Sequence, residues 1–252
     1  ECDFGTALSP NRFYGVEFVD KLVNILEAFE IPVTVFIQTE LFDKSPEAVD
    51  ELRASSSPVK FHPHSHSHKP RDEADIAEEV AVSTHRFREF FGTDPTGYRF
   101  PNGNVRPTDY ELLEDHGYEF DASVFPSWRP NHFNNVTVPT QPQYLPEFDL
   151  FEIPFTVYSD LFRIPTTISY CQLLGTPYQT LLERRPPSTL VFNVHMHDLV
   201  TPESYSKLPR PYRMIYSRVG DGFKLLSRLL SSFKSNGYSF QTVDTVHETL
   251  RQ

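Results

Sequence analysis

Four of the ten histidines in this 252-residue chain fall within seven positions, in the run Phe61-His62-Pro63-His64-Ser65-His66-Ser67-His68. If the segment turns helical, His64 and His68 at i and i+4 share one face, where two neutral imidazoles can take two positions on one divalent ion. His62 and His66 would then lie on other faces and stay outside the ligand set. A hydrolytic metal site commonly has three protein ligands and one open position, so a carboxylate is wanted. Glu1-Cys2-Asp3 offers one at the start of the chain. Acidic side chains two residues apart on a strand point the same way, so one could bind metal while the other accepts a proton from water. Two imidazoles and a carboxylate suit zinc, and cobalt, nickel and manganese fit the same set.

Composition narrows the partners. The chain holds 34 acidic against 23 basic residues, for a formal net charge of −11, and its pI is near 5.3. A phosphate backbone is repelled by such a surface, which argues against nucleic acid. No stretch approaches the roughly 18 uncharged apolar residues that span a bilayer, so no membrane span is expected. Cys2 and Cys171 are too few for a disulfide framework and lack the spacing of a thiolate zinc site. Nothing in the sequence signals an oligomeric state.

The elements that must position these groups alternate along the chain. Apolar residues at helical spacing over 17–29 precede the β-branched run over 33–37. Helical patterns over 46–54, 72–91 and 107–116 then alternate with extended segments at 59–61, 98–100 and 120–124. Five prolines and no helical period mark a Pro-rich excursion at about 125–150, a length that suits a functional loop. Beyond it come a strand at 151–153, a helix over about 170–184, a strand over 189–195, a helix over 221–236 and a short strand over 239–243. Repeated αβ units of this length, without a glycine-rich dinucleotide turn, predict an α/β fold: a distorted (β/α) barrel of about seven strands, one domain over 1–252. If Glu1-Cys2-Asp3 ends a first strand, most of that strand is missing, and the chain is expected to be a trimmed form of a longer one. A trimmed start would take any export signal with it, which leaves the compartment open between cytoplasm and export.

In order, the chain presents an acidic pair, then His64-Ser65-His66-Ser67-His68, then Arg99-Phe100-Pro101-Asn102-Gly103, then Asp121-Ala122-Ser123-Val124-Phe125-Pro126, and last Val194-His195. This ordered set resembles the polysaccharide deacetylase family, carbohydrate esterase family 4, whose motifs include H-[ST]-x-[ST]-H and R-x-P-x-G. The resemblance implies a metal-dependent hydrolase that removes N-acetyl groups from N-acetylated sugars of a polysaccharide or glycan. It implies one divalent ion on Asp3, His64 and His68, with Glu1 as general base where the family usually has aspartate. A competing alignment makes Asp3 the base and leaves Phe4 at the metal position. His195 is implied as the acid that protonates the leaving amine, with His197 as the second candidate. Arg99 would orient the base through a charge-assisted pair. The segment holding Pro101 and Asn102 would meet the substrate and offer a backbone N–H to the developing oxyanion. Trp128, with His132, is the best candidate for a substrate wall in the excursion. Other readings are a hydrolase of a small cyclic amide, as in the related allantoinase-like branch, and a sugar-binding protein on the same fold that has lost catalysis.

Overall fold

The structure is a computed structural model that describes residues 13–129, 133–201, 210, 213 and 221–252. Helix α1 (Val19–Phe29) buries Val19, Val23 and Leu26 and stops at Glu30, whose backbone is left-handed at φ 54°. The Ile31 N–H caps the turn on the Leu26 carbonyl at 2.9 Å, which releases the chain into β1 (Val33–Ile37). Two helices, α2 (Leu41–Lys44) and α3 (Pro46–Arg53), return the chain to β2 (Val59–Pro63). Strands β1 and β2 pair in parallel from Val33 with Val59 to Ile37 with Pro63. Helix α4 (Ile76–Phe91) leads to β3 (Gly97–Tyr98), and α5 (Pro107–Asp115) leads to β4 (Phe120–Asp121). The Arg99 N–H donates to the Pro63 carbonyl at 3.2 Å, which sets β3 beside β2.

The excursion is not structureless. It holds an antiparallel pair, β5 (Trp128–Arg129) with β6 (Phe133–Asn134), and then β7 (Gln143–Leu145) antiparallel to β8 (Leu150–Glu152). Strand β8 also pairs in parallel with β4, giving the order β3, β4, β8, β7. Beyond β8 come α6 (Ile168–Leu174), α7 (Thr176–Arg184) and α8 (Met196–Leu199). Helices α9 (Gly222–Ser235) and α10 (Val243–Leu250) follow. Thr156 N–H donates to the Val191 carbonyl at 3.4 Å, and Thr167 bridges Asn193 in parallel. The result is an α/β fold of the distorted barrel kind, whose strand ladders do not close among the described residues.

Several expected elements differ for local reasons. The helix expected from 72 begins at Ile76, because the Asp75 carboxylate caps it by accepting the Glu78 N–H at 3.1 Å. The helix expected over 170–184 breaks at Gly175 (φ 69°, ψ −159°), just before Pro177. The segment 189–195 makes one bridge rather than a ladder, since the Val191 N–H goes to the Thr156 hydroxyl at 2.8 Å. The strand expected over 239–243 gives way to α10, capped by the Thr242 hydroxyl, which accepts the Thr245 N–H at 3.2 Å. Helices α2, α8 and α10 are additional to the elements expected from the sequence.

A cavity of about 500 Å³ opens beside β1. Apolar side chains of β1, α1 and the 190–194 segment form most of its wall, and His64, His68, Arg99, Asn193 and His195 share it. Gly103 shows why the turn after Arg99 takes this sequence. Its φ is +62°, and a Cβ there would sit 2.7 Å from the Phe125 ring and 2.8 Å from the Ser123 carbonyl. Gly103→Ala is therefore expected to destabilise the fold by about 1–3 kcal/mol, measured by urea unfolding. A loss below about 0.5 kcal/mol would show that this turn relaxes freely.

Candidate functional site

The histidine run leaves β2 as a loop, not the helix that the i and i+4 spacing invoked. Ser65 and His68 adopt left-handed backbone at φ 61° and 54°, and the Ser65 hydroxyl accepts the His68 N–H at 3.0 Å. This tight turn brings the His64 and His68 rings to 4.8 Å between centroids. Helix α4 anchors the loop from outside. Glu79 accepts the backbone N–H groups of His66 and Ser67, both at 2.8 Å, and also the Ser67 hydroxyl. His64 Nδ1 lies 2.7 Å from the Arg99 carbonyl, which can only accept. The Nδ1 of His64 must therefore carry a proton, which puts the lone pair of the neutral ring on Nε2, the usual arrangement of a ligating histidine. The donor chemistry of His64 and His68 thus fits a divalent ion of the zinc type.

The neighbouring histidines do other work. The Gly97 N–H donates to His62 Nδ1 at 3.2 Å, so that ring's proton sits on Nε2 and is given to Asp244 at 2.9 Å. His62 is a buried strut between β2, β3 and α10. His66 Nδ1 pairs with the Thr39 hydroxyl at 3.0 Å. Leaving both out of the ligand set agrees with these contacts.

Arg99 reaches across the strand ends. Its Nε donates to the Ala122 carbonyl at 2.7 Å and one terminal nitrogen to the Asn193 side-chain oxygen at 3.4 Å. The guanidinium carbon lies 3.9 Å from the Phe36 ring centroid and 4.3 Å from that of Phe155, a cation held between two aromatic faces. Burial draws its pKa down to about 9, while Asp121 and Glu152 pull the other way. It stays cationic at neutral pH.

His195 caps α8. Its backbone N–H and its Nδ1 both meet Asp198 Oδ2, at 3.1 and 3.2 Å, and the Asp198 N–H returns to the His195 carbonyl at 3.0 Å. Asp198 is fully buried; burial raises its pKa, but the hydrogen bond from His195 and the potentials of His197 and His195 outweigh that and hold it below the usual carboxylate range. A depressed carboxylate contributes stability above its unfolded pKa, near 4, that is lost as pH falls through the folded value. Asp198→Asn is expected to remove this acid-side loss and to lower stability at neutral pH by about 1–3 kcal/mol, read from urea unfolding across pH. An unchanged acid limb would contradict the anionic assignment.

Ligand atoms of His195, His197 and Asp198 also lie within 4.8 Å of one another, a second set that could hold a metal. The two imidazoles, however, stack with only 8° between their planes, so their lone pairs run side by side and do not converge. With Oδ2 of Asp198 already taken by His195, the set reads first as a hydrogen-bonded pair with a stacked neighbour.

Among the other expected residues, Pro101 and Asn102 form a 3-10 turn at the end of β3, with Asn102 left-handed at φ 59°. Trp128 is 58% exposed on β5. The aromatic side chains Tyr98, Phe100 and Phe155 near the strand ends are buried core. Glu1, Asp3 and His132 lie outside the described residues. Two residues that pattern reading passed over are drawn to the site by the fold: Asn193, which touches both Arg99 and His195 Nε2, and Glu152, buried beside Asp121. No helix among the described residues is long and apolar enough to cross a membrane.

Fold and site together are of the α/β barrel class with a histidine-rich group at the C-terminal ends of parallel strands. Residues 7–120 match the polysaccharide deacetylase family, a span that holds His64, His68 and the Arg99 to Gly103 turn. The chain takes the same fold as a candidate polysaccharide deacetylase from Mycobacterium smegmatis, with TM-score 0.61 and 17% identity over 94% of this chain and 78% of that one. A candidate polysaccharide deacetylase from Pseudomonas aeruginosa gives TM-score 0.61 at 16% identity, covering 93% and 73%. A family 4 pseudoenzyme from Bacillus anthracis gives 0.54 at 11%, covering 93% and 62%. No curated protein matches the sequence closely enough to carry an assignment. The family match over residues 7–120 and the shared fold agree with the resemblance read from the ordered motifs.

Proposed function

We propose that this protein is a metal-dependent hydrolase that removes N-acetyl groups from N-acetylated sugars of a polysaccharide or glycan. The observation that carries the reading is the facing pair His64 and His68, with His64 oriented by the Arg99 carbonyl, on the same cavity as His195. Asp3, His64 and His68 would hold one divalent ion, zinc before cobalt, nickel or manganese. When bound, such an ion polarises a carbonyl and lowers the pKa of water towards about 7.

The chain's own groups complete the reaction. The Glu1 carboxylate takes a proton from the attacking water, and Arg99 orients that carboxylate. As the water oxygen bonds to the acetamide carbon, a backbone N–H of the turn holding Pro101 and Asn102 donates to the carbonyl oxygen, where negative charge develops. The C–N bond breaks to give acetate and an amine, whose nitrogen receives a proton from His195 Nε2. Asp198 holds that ring through Nδ1. Trp128 offers an exposed face on which a sugar ring can stack. One domain over 1–252, with the excursion at about 125–150 as a substrate wall, is part of this reading.

The test is acetate release from chitin oligomers, peptidoglycan fragments and nucleotide-linked N-acetyl sugars, after chelation and after metal is returned. Activity on one of these that disappears with chelator and returns with metal is the expected result. Hydrolysis of a cyclic amide alone would move the substrate, and oligosaccharide binding by the loaded full-length chain without any turnover would make it a binding protein.

A further inference from the structure

Beneath the site lies a pair of carboxyl groups. Asp121 on β4 and Glu152 on β8 are register partners across a parallel ladder, and they are 0% and 1% exposed. Two adjacent carboxylates in a protein interior cannot both ionise without a large desolvation and repulsion cost. Asp121 accepts the Ser123 hydroxyl at 2.6 Å and the Ser123 N–H at 3.1 Å. The Ser123 hydroxyl that donates to it also accepts the Phe100 N–H at 2.6 Å, which fixes its place on the turn. Glu152 is met by the Val124 N–H at 3.2 Å and the Tyr110 hydroxyl at 3.0 Å. The cation facing the pair is Arg99, whose own hydrogen bonds go to Ala122 and Asn193. Tyr110, from α5, is the other titratable group in contact, and burial pushes its pKa far above neutrality. One cation set against two carboxyl groups reaches neutrality only if the pair keeps one proton.

We propose that Asp121 and Glu152 share a single proton, held on Glu152, so that the pair acts as one buried anion that positions Arg99. Asp121 is the better anion, since the Ser123 hydroxyl meets it at 2.6 Å whereas the two donors to Glu152 stand at 3.0 and 3.2 Å, and Glu152 becomes a neutral donor towards it. Burial first, and then Asp121, push the Glu152 carboxyl well above the usual range, which agrees with this assignment. Through Arg99, whose carbonyl orients His64, the pair reaches the ligand side of the site. The positioning role rests on the activity proposed above; the shared proton does not.

Infrared spectroscopy of the intact chain at pH 7 should show a carboxylic-acid carbonyl stretch that is lost in Glu152→Gln. The absence of that band in the wild type, or its survival in the variant, would overturn the proposal. Urea unfolding gives an independent reading. A carboxyl with a raised folded pKa stabilises fully below its unfolded pKa, near 4, and that stability is lost as pH rises through the folded value. The wild-type unfolding constant should therefore grow above about pH 5 by up to tenfold per pH unit relative to Glu152→Gln. Parallel curves would count against the proton. For the positioning role, Glu152→Leu should lower kcat with little change in KM, and Gln at this position should recover about tenfold or more of that loss as a neutral donor. Gln no better than Leu would mean that a charge on Glu152 is what matters, and would overturn the assignment. Complete lack of turnover in the wild type would instead strike the proposed activity, and the spectroscopic and unfolding results would still decide the proton.

Discussion

The double substitution His64→Ala, His68→Ala is expected to abolish stoichiometric binding of a divalent ion and to lower acetate release by about three powers of ten or more. Both rings leave a single tight turn with their centroids 4.8 Å apart, so no other imidazole of the run can replace them without unfolding that turn. His62 is committed to Gly97 and Asp244, and His66 to Thr39. A Lewis acid contributes several kcal/mol to such a hydrolysis, and each 1.36 kcal/mol is a factor of ten, which sets the scale of the loss. The contrasting variant is His66→Ala, which should keep the metal, because that ring points to Thr39. Elemental analysis of dialysed protein checks the first half and acetate release the second. Full metal occupancy in the double variant would remove His64 and His68 from the ligand set.

The second large effect concerns the acid. His195→Ala is expected to slow amide hydrolysis by about two to four powers of ten, the usual contribution of a positioned proton donor, and to slow hydrolysis of an aryl acetate far less. A phenolate leaves without help, whereas an amine must be protonated as the C–N bond breaks. His195 is suited to the task because the Asp198 carboxylate grips it by both ring and backbone, while Nε2 is left on the side of Asn193 and the cavity. His197 is held less closely, with its Nε2 3.8 Å from Asp198, and His197→Ala should change both substrates little. Comparable losses on amide and ester in His195→Ala would assign that residue to binding or folding instead.

The sequence by itself determined the order of the motifs, and with it the resemblance to the polysaccharide deacetylases, as well as the elements whose signals are local. The β-branched run became β1 with its expected ends, and the caps at Asp75 and Asp221 start helices close to where the apolar period begins. His64, His68, Arg99 and His195 stand out in the sequence because histidine and arginine at those spacings have few other uses, and the fold brings all four to one cavity. His64 and His68 do not meet on a helix as their spacing suggests: they meet through left-handed residues in a loop, which spacing alone cannot distinguish from a helical turn. The 189–195 and 239–243 segments have strand composition, but ladder formation depends on which backbone or side-chain partners arrive from far along the chain, and here Thr156 and Thr242 intervened. What only the tertiary structure decided is the support beneath the site. Asp121 and Glu152 are 31 residues apart and meet through the register of β4 with β8, while Asn193 reaches Arg99 across 94 residues. Such contacts are set by strand register and layer packing, which are properties of the assembled sheet; buried charge balance exists only once that sheet has excluded water.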